Sequence, residues 1–117
     1  EKDMANQFKM INKNTVTSET LIYTPDSATT VILGLILANT TTSQVSVTVT
    51  LASTTSGRRG DNNNANETVK LLNLAPIPAG SSLEILSGNK VVMEDNDALK
   101  VTSTGNTDVT LSIMEIT

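Results

Sequence analysis

Between Gln44 and Leu51 the chain alternates without a break: Val45, Val47, Val49 and Leu51 are separated by Ser46, Thr48 and Thr50. A period of two places the apolar side chains on one side of an extended backbone and the hydroxyls on the other, which marks a half-buried β-strand. The same alternation returns at Val109, Leu111 and Ile113 around Thr110 and Ser112, at Leu83 and Ile85 around Glu84, and at Leu99 and Val101 around Lys100. Beyond Met114 the phase slips, because Ile116 rather than Glu115 is apolar; either a bulge re-aims the strand or Met114 packs outward. Apolar residues at helical spacing never extend over three turns, so no helix is expected.

Turn chemistry falls between these segments. Gly88-Asn89 and Gly105-Asn106 each stand between strand candidates and tolerate positive φ, which suits tight hairpins. Thr40 to Ser43 makes a third short connection, expected to join Val31-Asn39 to Gln44-Leu51 as an antiparallel pair. Pro76-Ile77-Pro78-Ala79-Gly80 lacks two ladder donors and is expected to cross between sheets rather than to be a strand. The strands expected are Asn6-Ile11, Glu19-Tyr23, Thr30-Asn39, Gln44-Ala52, Thr68-Leu74, Ser82-Leu86, Lys90-Val92, Leu99-Ser103 and Thr107-Ile116. About eight or nine short strands at this spacing imply an all-β, two-sheet antiparallel β-sandwich, with a jelly roll among its forms. The 117 residues make a single domain, 1–117, with 1–5 as a flexible N-terminal arm and 53–66 as a long loop. Met4-Ala5-Asn6 reads as a natural start, which leaves open whether Glu1, Lys2 and Asp3 are native.

With only Phe8 and Tyr23 as aromatics, the core must be built from Val, Leu and Ile. The run Val31 to Ala38 is apolar on both faces, and a two-layer sandwich covers only one. Simple alternation puts Val31, Leu33, Leu35 and Leu37 in the core, and Ile32, Ile36 and Ala38 on the opposite face. Ile32 and Ile36 are therefore the candidate face for packing against another copy of the chain, with cover by the chain's own N-terminal segment as the alternative.

Chemistry is harder to find. The chain has no histidine and no cysteine, which removes the usual nucleophile-base pairs, imidazole and thiolate metal sites, and disulfides. No catalytic residue, no cofactor and no metal ligand is assigned, and an enzyme is not expected. Eight scattered Lys and Arg against a net charge of -4 do not make a nucleic-acid surface. The run Val31 to Ala38 is far shorter than the roughly 20 residues of a membrane helix, and no signal peptide is visible. Glu94, Asp95 and Asp97 could offer oxygens to a hard cation, but a polar turn between two strands explains them better. Asp61 to Glu67 fails as a calcium loop, since Ala65 stands at a ligand position and Asn66 where glycine belongs. The Ser53 to Asn66 stretch is long enough to be an interaction loop, with Arg58, Arg59, Asp61 and Asn63 as its candidate contacts and an Arg59-Gly60-Asp61 tripeptide inside it. The sequons at Asn39 and Asn66 carry no weight without secretion.

Four segments, Met4 to Lys9, Val31 to Asn39, Pro76 to Glu84 and Asp108 to Ile116, give the chain a resemblance to small virion structural proteins of tailed bacteriophages of the marine and cyanobacterial type. Asp95-Asn96-Asp97 stands where such proteins tend to have a glycine-acid turn, and the Ser53 to Asn66 loop is longer than theirs. The resemblance implies a capsid decoration or cement protein, made in the host cytoplasm and bound to the outer head surface, often as a homotrimer. Its partners would be itself and the major capsid protein or other virion proteins. A neck, tail or fibre-base component, or a host-surface binding module of the adsorption apparatus, is the alternative.

Overall fold

The computed structural model describes residues 6–26, 28–53, 67–86 and 88–116. Nine strands follow in order: β1 Asn6–Val16, β2 Thr20–Tyr23, β3 Thr29–Asn39, β4 Val45–Ser53, β5 Glu67–Ile77, β6 Ser82–Ile85, β7 Val91–Met93, β8 Ala98–Ser103 and β9 Thr107–Ile116. Every pairing is antiparallel. Sheet A runs β1-β9-β3-β6, with β7 also paired to β3, and sheet B runs β2-β8-β4-β5. With β7 set aside, the first strand pairs the last, the second the next to last, the third the sixth and the fourth the fifth. Such nested pairing, divided over two sheets, is the jelly-roll form of the expected sandwich.

The core is aliphatic. Val47 and Val49 of β4, Leu99 and Val101 of β8, Leu111 and Ile113 of β9, and Ile32, Leu35 and Leu37 of β3 all lie in one buried cluster. The intervening Ser46, Thr48 and Thr50 are half-buried on the outer side of sheet B, as the alternation requires.

Three expectations need correction. The first concerns β3. Its register against β9 slips between Ile32 and Gly34, so Leu33 is an extra residue and the faces exchange at that point. Thr30 and Ile32 point inward before the bulge, and Leu35, Leu37 and Asn39 after it. Ile32 is therefore fully buried in the chain's own core and does not belong to an association face, while Val31 and Leu33 are only partly buried.

The second is Pro76, which lies inside β5 opposite Ser46, with Ile77 opposite Val45. Proline is tolerated there because β5 is an edge strand. The crossing to sheet A begins at Pro78 and is closed by the Ser81 N–H on the Pro78 carbonyl at 3.1 Å.

The third is the turns. Neither Gly-Asn turn closes a hairpin, because β6 and β7 both pair with β3 while β8 and β9 lie in different sheets, and Thr40 to Ser43 joins β3 of sheet A to β4 of sheet B rather than to a paired strand. Gly105 and Asn106 do not use positive φ, whereas Leu86, at φ 64, takes the left-handed conformation. Gly105 is needed for close approach, since a Cβ there would stand 2.7 Å from Val45 Cγ1. The phase slip at the end of β9 resolves without a bulge in its ladder to β1: Met114 points outward, and Glu115 occupies an inward position.

Candidate association face

In antiparallel pairs, residues directly opposite share a face, so the register maps the outside of sheet A row by row. Phe8 lies opposite Met114, Met114 opposite Val31, and Val31 opposite Val92. This apolar row crosses β1, β9, β3 and β7. On one side lies the row Asn6, Ile116, Thr29, and on the other Met10, Ser112, Gly34. None of these three rows contains an ionisable side chain. Glu94, whose carboxylate accepts from Thr29, borders the first flanking row, and Glu84 opposite Ile36 and Asp108 opposite Ala38 stand toward the far end.

Five of the eight exposed large hydrophobics among the described residues lie here: Phe8 at 72 % exposure, Met10 at 66 %, Val92 at 54 %, Ile116 at 40 % and Ile36 at 39 %. With about 150–250 Å² for a fully buried large side chain, they present on the order of 500 Å² of apolar surface. That is the size of the largest apolar patch on a typical monomer, which is often functional. Ile36 thus keeps its place on the candidate face, whereas Ile32 leaves it. Phe8, Met10, Met114, Val31 and Val92 join it. Sequence reasoning missed them because a face becomes visible only when strands are placed side by side.

At one end of the sandwich a polar clasp joins the sheets. The Tyr23 hydroxyl of β2 donates to Glu115 Oε2 of β9 at 2.6 Å and shares a 2.8 Å hydrogen bond with Thr30 Oγ1 of β3. Lys9 Nζ of β1 lies 2.7 Å from Glu115 Oε1. Burial, reinforced by the Glu115 hydrogen bond, pushes the Tyr23 phenol up to about 12. Lys9 and then Tyr23, by hydrogen bonding the charged form, hold the Glu115 carboxyl below its usual range. The signal for this site was the inward-phase glutamate at the end of β9, which demands a partner.

The other polar candidates have structural work. Asp97 is buried, and its Oδ2 accepts the Glu94 N–H at 2.9 Å, closing the turn between β7 and β8 around Asn96 at φ 72. Glu94 Oε1 accepts from Thr29 Oγ1 at 3.2 Å, so this carboxylate is directed to β3. No group of three or more acidic residues able to hold a metal occurs among the described residues. A shallow cleft of about 280 Å³ between β1 and β9, lined by Asn12, Lys13, Asn14, Asp108, Val109 and Thr110, has no nucleophile paired with a base. The sequon residue Asn39 is buried and its amide is fully engaged, so it presents no acceptor nitrogen at the surface. Arg58, Arg59, Asp61 and Asn63, like Asn66, lie outside the described residues.

No family model and no curated protein matches the chain. Among solved structures, it is similar to a subunit from work describing Bacillus endospore appendages as a novel family of disulfide-linked pili, at 14 % identity and a TM-score of 0.44 over 96 % of this chain and 87 % of that one. At that TM-score the likeness carries no argument, and this chain has no cysteine with which to form a disulfide.

Proposed function

We propose that the chain is a non-enzymatic structural subunit of a tailed-bacteriophage particle, a capsid decoration protein that self-associates, binds the outer head surface and stabilises the shell. The observation that carries this reading is the outer face of sheet A, where the row Phe8, Met114, Val31 and Val92 crosses four strands and contains no ionisable side chain. A site for chemistry concentrates polar groups in a concave pocket; here the distinctive surface is flat and apolar, as association requires. Jelly rolls occur in viral capsid domains and equally in lectins and cupins, so the fold supports the reading without selecting it. Many copies on one shell would reinforce weak individual contacts through multivalency.

Quantitative mass spectrometry of purified virions tests the role. A decoration protein is present at a copy number comparable to that of the major capsid protein. A handful of copies per particle would move the chain to the neck, tail or fibre base, and its absence from virions would end the proposal.

A further inference from the structure

Exposed strand edges invite pairing with other chains, and proteins block them with prolines, bulges, charges or brevity. Three of these devices guard most edges of this sandwich. β5 carries Pro76, two register shifts and Leu74 at φ 55. β2 and β6 have four residues each and β7 three, with Leu86 at φ 64 interrupting the line from β6 to β7. β1 differs. From Asn6 to Lys13 it pairs with β9 without a shift, contains no proline, and holds no positive φ before Thr15. Its central charge, Lys9, which would ordinarily guard such an edge, is drawn 2.7 Å from Glu115 on the neighbouring strand. The two most exposed large apolar side chains among the described residues, Phe8 and Met10, both project from β1.

We propose that β1 is a strand-pairing site for the β1 of a second copy, antiparallel, about a two-fold axis perpendicular to sheet A at Met10. Such an axis makes the contact reciprocal and closed. The side chains select the register. An axis at Lys9 sets Lys9 against the second copy's Lys9, and one at Ile11 sets Lys9 against the second copy's Lys13; like charges directly opposite are unfavourable. At Met10, Lys9 faces Ile11, Lys13 faces Gln7, and Met10 meets its own counterpart with Phe8 diagonal to it. The overlap ends where the β1 ladder itself breaks, after Lys13. Because the axis is perpendicular to the sheet, both apolar outer faces remain on the same side and join into one surface. The oligomer is then a dimer in place of the trimer that the phage resemblance implies. This inference stands on the edge geometry and does not need the virion reading.

Analytical ultracentrifugation and single-cysteine crosslinking test it on the full chain, which has no native thiol. Opposed residues in an antiparallel pair stand about 4.5–5.5 Å apart at Cα, within the about 4.4–6.8 Å that a disulfide spans. Met10→Cys should oxidise to a covalent dimer in high yield, while Asn6→Cys and Ile36→Cys should not. Met10→Lys should keep the wild-type circular dichroism and dissociate about tenfold or more readily, because two ammonium groups then meet at the axis. A wild type that stays monomeric at roughly millimolar concentration would overturn the proposal. So would a dimer whose affinity ignores Met10→Lys, or one that crosslinks equally through Ile36→Cys. If Met10→Lys unfolds, the crosslinking pattern alone decides.

Discussion

Asn39 is a single side chain on which three segments converge. It is 3 % exposed at the end of β3. Its Nδ2 donates to the carbonyls of Ser43 at 2.8 Å, Ile77 at 2.9 Å and Pro78 at 3.2 Å, while its Oδ1 accepts from the Thr41 N–H at 2.8 Å and the Thr41 hydroxyl at 2.7 Å. The amide thus holds the β3–β4 turn against the crossing from sheet B to sheet A, and its orientation is fixed by carbonyls on one side and donors on the other. Two amide hydrogens serve three carbonyls, so the longest contact is the weakest. With about 0.5–1.5 kcal/mol net per bond, and the Ile77 carbonyl left buried without that partner, Asn39→Ala should cost about 3 kcal/mol. That is a large share of the roughly 5–15 kcal/mol available to a domain, and near about 4 °C per kcal/mol it lowers the Tm by about 12 °C.

The sharper variant is Asn39→Asp, which keeps the shape and the Oδ1 contacts but sets a carboxylate oxygen against the three carbonyls. The introduced acid should titrate above its unfolded value of about 3.9, because only its protonated form can donate there. A group raised on folding contributes stability fully below its unfolded pKa and loses it as pH rises through the folded value. Asn39→Asp should therefore be less stable than Asn39→Ala at pH 7 and should recover relative to wild type near pH 4. Urea titrations followed by far-ultraviolet circular dichroism at both pH values measure this, since the chain has no tryptophan to report by fluorescence. An Asn39→Ala penalty under about 1 kcal/mol, or an Asn39→Asp penalty independent of pH, would refute the account.

Four further outcomes follow from the same structure. Ile32→Asp should prevent folding by placing an unpaired charge in the core, whereas Ile36→Asp should fold with a loss within about 1.5 kcal/mol; melting both variants checks the face exchange at Leu33. Since the Glu115 carboxyl is lowered on folding, its contribution is present above the unfolded value of about 4.3 and disappears as pH falls through the folded value. Acid unfolding of Glu115→Gln should accordingly be shallower than that of wild type. Tyr23, raised to about 12, contributes below about 10 and loses its contribution as pH rises toward 12, so tyrosinate absorbance of this single tyrosine should appear late in the native protein and early in urea. Gly105→Ala should cost about 1–3 kcal/mol by pressing against buried Val45, in contrast to Gly88→Ala, which meets open space; paired thermal melts separate the two.

How much of this could be read from the chain depended on whether polarity marked the phase. In β4 and β9 the intervening hydroxyls identify the wet side, so Val45, Val47, Val49, Val109, Leu111 and Ile113 were assigned inward, where the structure places them. From Val31 to Ala38 no polar residue interrupts the run, and a one-residue bulge leaves no trace in such a stretch. That is why Ile32 and Ile36 were placed together and are in fact separated. Pro76 was misplaced for a related reason: a proline excludes a central strand but not an edge, and edge position is a property of the sheet rather than of the segment. The clasp between Tyr23 and Glu115 spans 92 residues, so only the polar inward position in β9 hinted at it. Of the association face, Ile36 was legible and an outward Met114 was one of two alternatives; the bulge at Leu33 hid Val31, and Phe8 and Met10 belong to β1, whose mixed side chains reveal nothing of its exposure until its register against β9 is known.

The distribution of apolar residues between the two outer faces gives the association reading its physical weight. Sheet B turns Ser46, Thr48, Thr50, Lys100, Thr102, Thr68 and Lys70 outward, as a wet antiparallel face should, with exposed Leu21 on its edge strand opposite Lys100. Sheet A, in the same small domain, turns outward the chain's only phenylalanine and two of the three methionines among the described residues, Met10 and Met114. Burying such a side chain stabilises a fold by about 1.5–3 kcal/mol, a sizeable amount for a core with no other aromatic than Tyr23. Folding stability alone does not account for leaving Phe8 and Met10 in water on an edge that runs from Asn6 to Lys13 without a proline or register shift. Burial in an assembly does, because the same transfer free energy then appears as association. The roughly 500 Å² of one face falls short of the about 800 Å² per partner of a standard interface, and strand pairing along β1 about an axis perpendicular to the sheet sets two such faces side by side as one apolar surface of about 1,000 Å². The edge therefore supplies the main-chain hydrogen bonds of the pair, and the joined apolar face is left for a further partner to cover.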